Sequence, residues 1–254
     1  MKIARYVHDG LESWGVVKQE QVFPITGDVY GAYQVRNSAL PLAEVRLLAP
    51  CTPSKAVCIG LNYRDHGKEL DMKLPEEPIM FLKPPSSLNH PGGVIEYPAM
   101  TKNLHYEAEL AVVIGKKAKN VPAVKAHEYI LGYTCGNDVT ARDVQAKDGQ
   151  WTRSKSFDTF MPVGPWLETE LDPGRVGLKL YLNGQVRQSS TTANLIFPVP
   201  HLLAFISQVM TLLPGDVILT GTPAGVGPMQ IGDTVVGELE GIGRLTNPVG
   251  PQAG

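Results

Sequence analysis

Residues 105–115 read HYEAELAVVIG. Alternation, β-branched residues and a closing Gly115 predict a strand. Within it stands Glu107-Ala108-Glu109. Residues i and i+2 of a strand share one face. Two carboxylates therefore stand side by side on an element whose other residues are apolar. Buried like charges are costly unless something cationic lies between them. One reading is an edge strand with both glutamates in water. The other is a divalent-metal site of oxygen ligands.

Working outward, ILGYTCGN (130–137) reads as a second strand from Ile130 to Cys135, and Asp138 follows it in NDVTARD. A third carboxylate strengthens the metal reading. Glu107, Glu109 and Asp138, with no obvious His or Cys partner, favour a hard cation, Mg²⁺ or Mn²⁺, with Ca²⁺ possible. Such a site keeps positions open for water or substrate oxygens.

Elsewhere the pattern is also mainly β. The chain holds 26 glycines and 21 prolines among 254 residues without low-complexity runs, which suits a turn-rich β protein. KIARYV, ESWGVV and EQVFPIT are short strands separated by turn signals, and GLKLYLNGQVRQ is an Asn-Gly hairpin. IGDTVVGELEGIGRLTNPV supplies two closing strands, and AVCIG from Ala56 a buried one. Short helices are expected near 39–45, 63–70 and 123–129, with one amphipathic helix over 201–212 stopped by Pro214-Gly215. A boundary near Pro50–Pro53 divides a small N-terminal β-rich domain, 1–52, from a larger domain, 53–254.

Composition excludes several function classes. Charged residues are 19% and hydrophobic ones 43%, so this is no disordered tail protein. Net charge is −2, which predicts no attraction to nucleic acid or anionic membrane. The N-terminus MKIARYVHDG has no apolar signal segment, and Leu202–Leu213 is short of the roughly 20 residues that span a bilayer. Cys51, Cys58 and Cys135 form no close pair, which suits reduced thiols in a cytoplasmic protein.

Three further motifs bear chemistry. His66 and Glu69 in NYRDHGKEL lie three apart, on one face of a helix. A carboxylate that orients an imidazole makes a general base, although a solvated surface pair has the same spacing. Lys155 in WTRSKSFDTF lies in an aromatic turn and would balance three carboxylates; a surface lysine is the plain alternative. TGTPAGVG (220–227) can offer backbone N–H groups to an anion, or simply turn the chain. No dinucleotide or phosphate-loop pattern opens a helix.

GLNYRDHGKEL, LHYEAELAVVIG, GYTCGNDVTARDVQ, KSFDTFMPVGP and LLPGDVILTGTPAGVG occur in this order. Together they resemble the fumarylacetoacetate hydrolase family, in its bacterial branch of short enzymes, over about residues 54–249. The resemblance implies a β-sandwich roll with a few short helices, assembled as a homodimer. It implies metal ligands at Glu107, Glu109 and Asp138, a His66–Glu69 dyad on a loop that orders over the site, and an active-site Lys155. Arg142 and Gln145 fall on substrate-pocket positions, and Thr222 on the threonine of a carboxylate-binding turn.

The expected activity is Mg²⁺- or Mn²⁺-dependent chemistry on a small 2-oxo acid or its enol. Hydrolytic C–C cleavage of an acylpyruvate or dioxo-dicarboxylate comes first. Isomerisation of hydroxymuconate-type dienedioates, or decarboxylation of oxaloacetate, could use the same site. A non-catalytic metal or 2-oxo-acid binder would not need the His66–Glu69 pair. The polar, proline-bounded segment 62–77 is expected to be mobile without ligand and to fold when a 2-oxo acid binds.

Overall fold

The computed structural model describes residues 1–69 and 73–252. Its backbone is mainly β, arranged as one large sheet and two smaller ones. In spatial order the large sheet runs Tyr33–Val35, Gln21–Gly27, Leu11–Lys18, Lys2–His8, Met161–Glu168, Ile130–Asn137, Ala108–Ile114, Val217–Leu219, Ala56–Ile59 and Met80–Lys83. Short strands Leu40–Pro41, Arg46–Leu48 and Leu88–Asn89 pair off this path. Five strands form a second sheet: Ile95–Tyr97, Gly243–Pro251, Thr234–Leu239, Gly177–Leu182 and Gln185–Thr191. Thr140–Ala141, Leu104–Tyr106 and Gly227–Met229 make a third.

The N-terminal strands join the large sheet directly, with Lys2 opposite Glu168 and Ile3 opposite Leu167. The hairpin turns follow their sequence. Asp9-Gly10 and Asn183-Gly184 carry positive φ at both positions, the geometry that matches strand twist in a two-residue turn. Ala108–Ile114 is buried at all seven positions, because neighbouring strands flank it and layers cover both faces. The main core lies between its Leu110, Val112 and Ile114 side and residues of the second sheet and the long helix, such as Leu178, Leu180, Leu202 and Ile206.

Three sequence expectations shift at their edges. Residues 39–45 hold only a 3₁₀ turn at Leu42–Glu44, because Leu40–Pro41 pairs with the strand Gln21–Gly27. Ala123–Tyr129 is helical but of the 3₁₀ type. The long helix is Val199–Val209, not 201–212. Proline in its first turn starts it early, since that position needs no N–H. It ends early because Leu212 exchanges backbone bonds with Ala118 in an isolated bridge. Among the described residues no helix is long and apolar enough to cross a membrane. The three cysteines are free and buried.

Candidate active site

The expected strand 105–115 is broken at its most informative residue. Leu104–Tyr106 belongs to the small sheet and Ala108–Ile114 to the large one, so the chain changes sheets at Glu107. The break is stitched to the neighbouring strand end. Asn137 Oδ1 accepts the Glu107 N–H at 2.9 Å, and the Asp138 N–H donates to the Glu107 carbonyl at 2.8 Å. Glu109 pairs in register with Gly136. These contacts bring Glu107, Glu109 and Asp138 together, with one oxygen of each within 4.8 Å of the others, and all three are buried.

Three cations enclose them. Lys155, itself buried, donates to Glu107 Oε2 at 2.9 Å and to Asp138 Oδ2 at 2.7 Å. Arg142 pairs with Glu107 Oε1. Lys83, fully buried, lies 2.8 Å from Asp138 Oδ1. Burial pushes the Glu107 carboxyl up, but Lys155 and Arg142 outweigh it and hold the group down at about 2. Glu109 differs. Burial, then Asp138 and Glu107, push its carboxyl well up, and the Gly221 N–H at 2.6 Å together with the Lys155 charge offsets only part of that.

Asp138 Oδ1 shows why a cation suits this place. An ammonium group has three donors. Those of Lys83 go to the carbonyls of Val139, Phe160 and Lys155, at 3.1, 2.8 and 2.5 Å. Asp138 Oδ1 is thus buried beside a positive charge without an aligned hydrogen bond. An orphaned carboxylate oxygen, a neighbouring carboxyl driven toward its neutral form and an all-oxygen donor set fit a hard divalent cation.

The expected dyad is formed. His66 Nδ1 lies 2.9 Å from Glu69 Oε2, on the short helix Arg64–Glu69. Glu69 Oε1 accepts the Gly225 N–H at 3.1 Å. At the start of the helix, Asp65 Oδ1 accepts the His66 N–H at 2.9 Å, and Asp65 Oδ2 accepts the Ser190 hydroxyl at 2.6 Å. Of the segment 62–77, residues 70–72 lie outside the described residues.

A cavity of about 190 Å³ joins these groups. His66, Glu107, Glu109, Asp138, Arg142, Gln145, Lys155 and Thr222 all line it. Glu69 stands behind His66. Gln145 Oε1 accepts from Arg142 at 2.7 Å and so orients the guanidinium. The Thr222 hydroxyl is already engaged: it donates to the Ala108 carbonyl at 2.9 Å and accepts from Gln188 at 2.8 Å. The glycine-rich turn does meet anions, but they belong to the protein: Gly221 serves Glu109, and Gly225 serves Glu69.

Residue-by-residue reading missed Lys83, Asn137, Gln188, Phe81 and Trp151. Lys83 had a faint signal. It shares strand parity with Phe81 in MFLK and so faces inward. Beside the site, burial and then Arg142 push the imidazole of His105 down to about 4. The neutral ring places His105 Nε2 2.9 Å from Asn103 Oδ1 and receives Arg142 Nε at His105 Nδ1, 3.4 Å away.

Comparison with known proteins gives the family. The family model described as fumarylacetoacetate (FAA) hydrolase C-terminal matches residues 55–250. A second model, Rv2993c-like, N-terminal, matches residues 1–50. A solved 5-carboxymethyl-2-hydroxymuconate delta-isomerase from Mycobacterium smegmatis is 47% identical, with a TM-score of 0.93 over 99% of this chain and 100% of that one. A mitochondrial oxaloacetate tautomerase of Arabidopsis thaliana is 46% identical over 76% of this chain and 89% of its own length. A maleylpyruvate hydrolase from Sphingobium sp. SYK-6, solved with manganese(II) and pyruvate, is 30% identical, with a TM-score of 0.84 over the whole of both chains.

Proposed function

The chain belongs to the fumarylacetoacetate hydrolase family, and on that premise we propose that it is a divalent-metal-dependent enzyme that moves a proton beside the 2-oxo group of a small 2-oxo acid, interconverting keto and enol forms. One observation carries the reading: His66, backed by Glu69, faces the same small cavity as three buried carboxylates. A hard cation held by Glu107, Glu109 and Asp138 would supply Lewis acidity and a template for the carboxylate and 2-oxo oxygens.

The chain's own groups do the rest. In the tautomer whose Nδ1–H donates to Glu69, His66 keeps the Nε2 lone pair as the base. That nitrogen takes the proton from the carbon next to the 2-oxo group and delivers it to the 2-oxygen, breaking C–H and forming O–H, and the reverse steps return the keto form. Lys155 and Arg142 offset negative charge growing on substrate oxygen, in a pocket whose apolar side limits water. Glu107 stays ionised near neutral pH because both cations hold it so.

Proton transfer takes first place over hydrolysis because the relatives named as tautomerase and isomerase are 46% and 47% identical, against 39% and 30% for two solved hydrolases. Hydrolytic C–C cleavage of an acylpyruvate, with His66 drawing its proton from water, is the second reading, supported by those hydrolases. Decarboxylation of oxaloacetate would show as carbon dioxide release. The test offers oxaloacetate enol, acetylpyruvate and a hydroxymuconate-type dienedioate to the protein with Mg²⁺ or Mn²⁺, and with chelator. Enol loss to the keto form without bond cleavage, abolished by chelator, is expected. Cleavage products from acetylpyruvate would favour the second reading, and no metal-dependent change in any substrate would contradict both. The homodimer, the cytoplasmic location and the division at 52/53 belong to the same proposal; light scattering checks the first.

A further inference from the structure

We propose that Trp151, backed by Phe81, closes the outer end of the cavity and limits its ligand to 2-oxo acids of four or five carbons. This deepens the reading above and takes the ligand class from it.

Trp151 and Lys155 lie one turn apart, joined by the Lys155 N–H donating to the Trp151 carbonyl at 3.1 Å. Lys155 is buried against the carboxylates, whereas Trp151 is half-buried, and both line the cavity. A ligand anchored at the carboxylate end and extending toward solvent along this wall therefore meets the indole. The indole is held from two sides. Its ring stands edge-on to Phe81, with centroids 5.4 Å apart at 77°. It also packs onto Gly60, where a Cβ would come within 3.0 Å of the ring and 3.3 Å of Ile79 Cβ. An added Cβ at position 60 would require the ring or Ile79 to give by a few tenths of an ångström, so glycine there lets the indole pack close.

Size gives the limit. The cavity is about 190 Å³, below the ~300–1,000 Å³ of pockets that take drug-sized ligands. Ile59, Leu61, Phe81 and Trp151 make the far wall apolar. This chain should therefore disfavour the eight-carbon skeleton in the name of its Mycobacterium smegmatis relative.

The test is a ladder of straight-chain 2-oxo acids, from three to eight carbons, titrated calorimetrically into Mn²⁺-loaded protein. Affinity in the parent should break after five carbons, with longer acids at least tenfold weaker. Trp151→Ala should move the break outward and bring the seven-carbon acid within threefold of the five-carbon one. Trp151→Leu, which keeps more packing on Phe81, should shift it by a smaller step and covers the case in which the alanine variant fails to fold. A break at the same length in parent and variants overturns the gate, as does no break at all. Turnover separates this from the reaction: a clear break without keto–enol exchange would sink the proposed activity and leave the gate standing.

Discussion

Asp216 and Asp138 are both buried at the ends of strands in the same sheet, but they are held by different kinds of partner. Asp216 sits where Ala56–Ile59 meets Val217–Leu219. Its Oδ1 accepts the Ser54 N–H, the Ser54 hydroxyl and the Lys55 N–H at 2.9, 2.7 and 3.2 Å. Its Oδ2 accepts from the Leu213 N–H and the Lys55 ammonium. Asp138 accepts no backbone N–H among the described contacts; its partners are Lys155 and, unaligned, Lys83. Backbone donors are fixed by the fold. An ammonium group on a side chain can share or yield its place to another cation. The first pattern closes a structure, and the second leaves a site open to a ligand.

The largest expected effect tests the open side of that contrast. Glu109→Ala removes a ligand oxygen while leaving the Asp216 cluster intact. Calorimetric Mn²⁺ binding should fall by at least a hundredfold, with the folded circular dichroism spectrum retained. Unchanged affinity would remove Glu109 from the metal site. Asp216→Ala is the converse. It strands Lys55 and three backbone donors, so unfolding in urea should show a loss of roughly 3 kcal/mol, the usual cost of breaking a buried pair. Mn²⁺ affinity of the folded variant should match the parent; a parallel loss would mean that the two regions are not separate.

A smaller effect lies in pH. Burial pushes Asp216 up, but Lys55, the Leu213 N–H and Ser54 bring it below its ordinary 3.8. A depressed carboxyl contributes stability above its unfolded value, and that contribution is lost as pH falls through the folded one. Glu109 has the opposite sign. Its raised value favours the neutral form, so its contribution is present below 4.5 and is lost as pH rises through the folded value. In metal-free protein, Glu109→Gln should therefore raise the melting temperature more at pH 8 than at pH 4. Asp216→Asn should lower it more at pH 7 than at pH 3. A Glu109→Gln variant equally stabilised at both pH values would contradict the charge assignment.

How much of this was legible in the sequence follows the same division. Local geometry could be read. Glu107 and Glu109 two apart, and His66 three before Glu69, are spacings that backbone periodicity turns into proximity; Asp138 could be read as a third carboxylate at a strand end, but not as their neighbour. The β-rich architecture and its Asn-Gly hairpin were legible for the same reason. The exchange of sheets at Glu107 was not, because it depends on Asn137 and Asp138, about thirty residues away in sequence. Lys83 reads as one lysine before two prolines until the fold brings three carbonyls to it. The glycine-rich turn was legible as an anion binder, but its anions are Glu109 and Glu69, which only tertiary packing could reveal.

The central claim is that His66 moves a proton beside a metal held by the carboxylates. The direct measurement is deuterium incorporation at the carbon next to the 2-oxo group. Nuclear magnetic resonance would follow a short 2-oxo acid in D₂O with Mg²⁺, parent against His66→Ala. Rapid exchange is expected in the parent, with a loss of about 10²–10⁴-fold in the variant and an unchanged Mg²⁺ affinity. Exchange in His66→Ala at the parental rate, with metal bound, would contradict the claim.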